Sequence, residues 1–271
     1  MPPSLIPRTD IDLLYRDVCK RPGGPQARLD WAAREDPVET IAAAFARSIE
    51  QLDGYDNRDE PFRDPNTRAR TEAEVDDVRS TLSVALRLKA QGRLQPAEDD
   101  PLAYRYVERE IVAQRTTGRA RFDDPRQEIA DGPANSAMKV DLLLEADDGA
   151  PAVGEIKIRN DKDPICALIQ VLAAAALLST EPQRDRLDLH HNLRTDGRLD
   201  AVILLVDFPE ADLMGQAKVK ACELAEALVA DPRVGDHVRR IITFEATADA
   251  TLAGGPLTAQ VACRADAAAK D

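Results

Sequence analysis

Aromatic side chains are scarce: the 271 residues include one Trp, four Tyr and five Phe, 4% in all. The core must therefore be built from Leu, Ile, Val and Ala, within an apolar share of 44%. Metal-binding soft donors are equally thin. The four cysteines, Cys19, Cys166, Cys222 and Cys263, lie far apart with no CxxC pair and no His at ligand spacing. Neither a zinc site nor a disulfide framework is signalled, and reduced thiols are expected. Positive charge is also short, since 36 Lys and Arg against 49 Asp and Glu leave a net charge of −13. That balance opposes non-specific attraction to nucleic acid and to anionic membranes. A polyanionic partner would have to be met by a local basic patch or by metal ions. The N-terminus MPPSLIPRTD has no apolar signal core, and the longest apolar run, PICALIQVLAAAALL, is too short and too interrupted to span a bilayer. No membrane contact is expected, and the cytoplasm is the expected location. No GxxxxGK[ST] phosphate loop is present, so ATP-driven motor activity would have to come from another chain.

What is there divides near residue 98. Residues 1–98 read as a helical region: Asp36-Pro37 with Glu39 caps TIAAAFARSIEQL, and Thr71 with Glu74 forms a capping box before VDDVRSTLSVALRLKAQG. Asp100-Pro101 opens a further helix predicted across LAYRYVEREIVAQR. From residue 118 the pattern changes to strands: GRARF, then MKVDLLLE and AVGEIKI around the turn ADDGAP. Asp163-Pro164 caps an apolar helix, a polar loop holding His190 and His191 follows, and DAVILLVDF, ADLMGQAKVKACELAEALVA and RRIITFEA read as strand, helix and strand. Residues 99–271 thus read as an α/β domain with a mixed sheet, ending in an Ala-rich tail that is part loop.

The informative stretch is KVDLLLEADDGAPAVGEIKI, residues 139–158. Period-2 geometry puts Glu155 and Lys157 on one face of a strand that otherwise looks buried. With five loop residues, 146–150, Glu145 faces Pro151, Asp141 faces Glu155 and Lys139 faces Lys157. Directly opposed residues share a sheet face, with Cβ atoms roughly 4.5–5.5 Å apart. Two opposed carboxylates repel unless a cation compensates them, which suits Mg²⁺ or Mn²⁺, ions that prefer oxygen ligands. A solvated sheet edge would account for the charges alone, but Leu142, Leu144, Val153, Ile156 and Ile158 imply burial.

Asp141 with Glu155-Ile156-Lys157 resembles the D…ExK core of the PD-(D/E)XK nuclease superfamily, whose restriction-endonuclease-like fold has an αβββαβ core. The element order from residue 100 to 207 is similar. The resemblance implies a divalent-metal-dependent nuclease that hydrolyses phosphodiester bonds, with DNA the expected substrate. Carried over, it makes Asp141, Glu155 and the Ile156 backbone metal donors and Lys157 the water or phosphate partner. It also points to a glutamate on the first core helix, Glu108 in preference to Glu110, and to Gln170 on the helix after ExK. A lone Gln amid apolar residues needs a hydrogen-bond partner. This chain departs from the pattern at Val140, where many members have Pro, and at Ala174, where the RecB-like branch has Tyr. Arg159 and Lys162 are candidate phosphate contacts. His190 and His191 fit a solvent-exposed turn. The rival readings are a catalytically silent binding module, favoured by the low basicity, and an RNA-cleaving enzyme. A homodimer or a protein partner meeting the N-terminal helices is a further expectation.

Overall fold

The computed structural model describes residues 8–34, 36–62, 80–94, 96, 102–116, 119–120, 128–129, 136–159, 163–193, 197–208, 212–247 and 257–268. The chain opens with helices α1 (Asp10–Cys19), α2 (Gly24–Arg34), α3 (Pro37–Gln51) and α4 (Thr81–Gln91). Strands β1 (Arg93–Leu94), β2 (Tyr104–Thr116), β3 (Arg119–Ala120), β4 (Glu128–Ile129), β5 (Ser136–Ala146) and β6 (Pro151–Ile158) follow. Then come α5 (Pro164–Leu178), α6 (Glu181–His191), β7 (Leu199–Val206), α7 (Leu213–Ala230), α8 (Pro232–Gly235), β8 (Val238–Thr247) and β9 (Thr258–Asp266). The result is an α/β structure on a seven-stranded mixed sheet of order β1-β2-β5-β6-β7-β8-β9, with β3 and β4 as a separate pair. β6, β7 and β8 run parallel and the remaining neighbours antiparallel.

Local chemistry sets the helix starts. The Asp36 carboxylate accepts from the Glu39 N–H at 3.1 Å, and that of Asp163 from the Cys166 N–H at 3.0 Å, each with Pro at the first helical position. Ser80 caps α4 in the same way, accepting from the Ser83 N–H at 3.1 Å, and Gly92 ends that helix with φ 80°, a left-handed conformation open to glycine. The Thr71–Glu74 box lies outside the described residues, as do residues 97–101, which hold the boundary expected near 98.

Helices cover both sheet faces. On one, α1, α2, α3, α5 and α7 share a single apolar cluster that includes Ile11, Phe45, Leu168, Leu172 and Leu224. On the other, Val84, Ala85 and Leu88 of α4 pack into a second cluster with Tyr104, Leu142, Ile156 and Phe244. The sheet curls around α4 until Pro96, beyond β1, bridges Ala259 of β9 at the opposite edge.

Three expectations need correction. LAYRYVEREIVAQR is not a helix: it supplies β2, because Tyr104, Tyr106, Val107, Ile111 and Val112 are residues that favour a pleated, half-buried strand, and β5 offers a full-length partner. His190 and His191 lie at the end of α6 rather than in a loop, and Asn192 closes that helix with φ 55°. The cysteines are paired: Cys19 with Cys166, joining α1 to α5, and Cys222 with Cys263, joining α7 to β9, at Cα separations of 5.6 and 6.1 Å. These partners lie 147 and 41 residues apart in the chain, so sequence spacing could not reveal them. No single helix among the described residues is long and apolar enough to cross a membrane.

Candidate active site

The β5–β6 hairpin has the register expected from the sequence, Leu142 with Gly154 and Glu145 with Pro151, although β5 runs one residue further and leaves 147–150 as the loop. A Cβ on Gly154 would sit 3.0 Å from that of Leu142, so glycine permits the close approach of the two strands here. Leu142 with Gly154 is the last pair in the ladder. Beyond it the Asp141 side chain replaces backbone pairing, its Oδ2 accepting from the Ile156 N–H at 2.9 Å. Lys139 does not join Lys157; it is exposed and pairs with Val112 of β2.

Alternation along β6 sorts its side chains. Ile156 and Ile158 enter the cluster around α4, while Val153 enters that around α5. Glu155 and Lys157 share the Val153 face and are only 2% and 4% exposed. Lys157 Nζ donates to Glu155 Oε1 and, at 3.2 Å, to Oε1 of Gln170 on α5. Gln170 is the one residue of α5 that is not fully buried, and the lysine explains its presence in an apolar helix.

Asp141, Glu155, Lys157 and Gln170 all line one cavity of about 680 Å³, together with Glu110, Arg109 and Arg159. Ser80 and Thr81, at the start of α4, form another wall. Burial pushes the Asp141 carboxyl above its ordinary range, and the nearby Glu110 charge adds to the rise. The Ile156 N–H, the Lys157 charge and a hydrogen bond with Glu155 act the other way without cancelling it. Burial also pulls on Lys157, but the charge and hydrogen bond of Glu155, helped by Asp141, outweigh it and hold the ammonium above its usual pKa. The pocket therefore holds two neighbouring carboxyl groups with one lysine against them.

Glu108 is not part of this pocket. Its carboxylate accepts from the Arg109 N–H at 3.0 Å, and its charge acts on His191. The preference for Glu108 rests on the resemblance alone; on a strand with register shifts at Tyr106/Glu108 and Val112/Gln114, Glu110 takes the place. The flanking pairs, Arg109 with Leu142 and Ile111 with Val140, set Glu110 across from Asp141. Glu110 has φ 49°, a left-handed conformation that costs a non-glycine residue about 1–2 kcal/mol. Sequence reasoning misses Arg109 and the Ser80–Thr81 wall; Ser80 is an N-cap residue type, and breaking the long helical run there would have found the wall. Lys162 lies outside the described residues.

Among the described residues no group of three or more His, Cys, Asp or Glu is disposed to hold a metal ion. Two carboxylates and the Ile156 backbone remain, a hard-oxygen set that fits a strongly hydrated ion such as Mg²⁺, which commonly uses one or two carboxylates and keeps several waters. The raised Asp141 carboxyl fits as well, since a cation would offset the cost of its burial. Searches of protein-family models, curated proteins and solved structures find no match to this chain.

Proposed function

We propose that the chain is a divalent-metal-dependent nuclease with a restriction-endonuclease-like core, hydrolysing phosphodiester bonds in nucleic acid, with DNA the first substrate to test. The observation that carries the reading is the meeting of Asp141, Glu155 and Lys157 in one cavity, with Gln170 on the lysine. The succession α4, β2, β5, β6, α5, β7, interrupted by β1, the β3–β4 pair and α6, with β7 parallel to β6, supports it as an αβββαβ arrangement.

Asp141, Glu155 and the Ile156 carbonyl would hold Mg²⁺ or Mn²⁺. Bound there, the ion would lower the pKa of a coordinated water and offset charge on the phosphate. Asp141 is fixed for this by the Ile156 N–H. Glu155 and Gln170 hold the Lys157 ammonium at the cavity wall, where it can donate to a phosphate oxygen or orient the attacking water.

The test is to incubate the protein with supercoiled, linear, single-stranded and branched DNA, and with RNA, in Mg²⁺, Mn²⁺ or EDTA. Cleavage that requires the ion is expected. Protein that neither binds Mn²⁺ in calorimetry nor cuts any of these substrates would instead be a silent module in which Lys157 merely neutralises Glu155. A cytoplasmic location belongs to the same reading, and the two disulfides sit uneasily with a reducing compartment. Counting free thiols in freshly extracted protein tests that part.

A further inference from the structure

The cavity of the proposed active site is not uniformly acidic. Arg109 enters it from β2, only 7% exposed, and lines it together with Lys157, Asp141 and Glu155. Burying a guanidinium in a chain of net charge −13 calls for a specific partner, and that partner is Glu110, whose Oε2 accepts from Arg109 Nη1. Among the described residues this is the only ion pair formed by Arg109. The pair is lopsided: the Arg109 side chain is 8% exposed and that of Glu110 42%. Glu110 also lies near enough to Asp141 for its charge to raise that carboxyl. The one carboxylate therefore lies between a buried cation and the Asp141 carboxyl.

We propose that Arg109 is a phosphate-binding residue of this site and that Glu110 is its exchangeable counter-ion. The inference rests on the nuclease reading. A divalent cation entering beside Asp141 attracts Glu110, and the phosphodiester accompanying the cation takes over the guanidinium. Charge stays matched throughout: the carboxylates share the cation, and Arg109 trades one anion for another. Arginine suits the exchange because its planar fork pairs with a carboxylate or a phosphate in the same geometry. Positive thermodynamic coupling follows, since each ligand frees the group the other needs, and coupling between two ligands is reciprocal.

The experiment measures binding rather than turnover. A fluorescent DNA oligonucleotide is titrated with the full chain in EDTA and in Ca²⁺, used as a probe ion, and Mn²⁺ binding is followed by calorimetry, for wild type, Arg109→Gln, Arg109→Lys and Glu110→Gln. In wild type, Ca²⁺ should tighten oligonucleotide binding by about tenfold or more. Arg109→Gln should lose most of that gain while binding Mn²⁺ at least as well as wild type, because Glu110 is no longer held. Glu110→Gln should bind the oligonucleotide more tightly than wild type in EDTA and gain less from Ca²⁺. Should Arg109→Gln prove too unstable to assay, Arg109→Lys keeps the charge without the fork and should still weaken oligonucleotide binding in Ca²⁺. If the Arg109 and Glu110 variants melt earlier but bind the oligonucleotide as wild type does in both conditions, the pair is structural and this inference is wrong while the nuclease reading stands. Wild type that binds neither ion nor oligonucleotide overturns both.

Discussion

Two buried acidic clusters sit on neighbouring parallel strands. At the start of β7, Asp200 is fully buried and accepts from Tyr104 Oη at 2.9 Å and from Arg239 Nε and Nη2 at 2.6 and 3.0 Å. Arg239 also grips Asp148 in the β5–β6 loop, lowering that carboxyl to about 2. Towards the other end of β6, Asp141 and Glu155 share one lysine and face an open cavity. Burial raises both Asp200 and Asp141, so a perturbed carboxyl does not by itself distinguish a structural group from a chemical one. The distinction lies in the surroundings. Asp200 is matched by Arg239, which it shares with Asp148, by Arg240 at 3.6 Å and by a tyrosine hydroxyl, which makes it a fastening between strand and hairpin. The pair at the cavity sets two carboxyl groups against one lysine, and it lies toward the carboxyl ends of parallel strands, where ligands bind in open α/β sheets.

The largest expected effect tests that contrast directly. Asp141→Asn and Glu155→Gln keep shape but remove the charge an ion requires, so each should abolish Mn²⁺ binding and lower DNA cleavage by about a thousandfold or more. Lys157→Ala should lower cleavage on a similar scale while leaving calorimetric Mn²⁺ binding largely intact. Cleavage that persists in either carboxylate variant would place the chemistry elsewhere.

Asp200→Asn should do the reverse. Removing the carboxylate leaves the partly buried Arg239 with Asp148 as its remaining carboxylate and takes a charged acceptor from Tyr104, which should cost about 1–3 kcal/mol in denaturant unfolding. Cleavage at a temperature where the variant remains folded should be unchanged. If activity were lost and stability kept, the division between fastening and site would be wrong.

Much of the cavity is legible in the amino-acid sequence, and the reasons are local. A turn between two strongly patterned strands fixes a register, so Asp141 and Glu155 can be placed without knowing their neighbours in space. Pro after Asp locates α3 and α5, because capping is decided within a few residues. What fails depends on distant partners. β2 carries apolar residues that fit a helix or a strand, and it is β5, some thirty residues on, that makes it a strand; without that pairing only a motif resemblance chooses between Glu108 and Glu110, and it favours the wrong one. Asp200 gives no signal at all, since a single acid opening an apolar run looks like a strand terminus until Tyr104 and Arg239 converge on it.

The smallest expected effect concerns pH, and it separates burial from function at Asp141. The folded protein holds this carboxyl above its ordinary pKa, so relative to the unfolded chain it favours the protonated form. Stability from that preference is fully present below the unfolded carboxylate pKa and is lost as pH rises through the folded value. Asp141→Asn keeps an oxygen to accept from the Ile156 N–H, and its amide can keep a hydrogen bond with Glu155 without placing a buried charge at this position. In EDTA the variant should therefore match wild type at acid pH and exceed it at neutral pH, by roughly 1 kcal/mol, the scale of one satisfied buried hydrogen bond. Thermal melts across the acid-to-neutral range would measure the gap. Adding Mn²⁺ at neutral pH should close or reverse it, because the ion stabilises only the carboxylate form. A gap that does not change with pH would mean that Asp141 is not held in the protonation-sensitive state on which its proposed role depends.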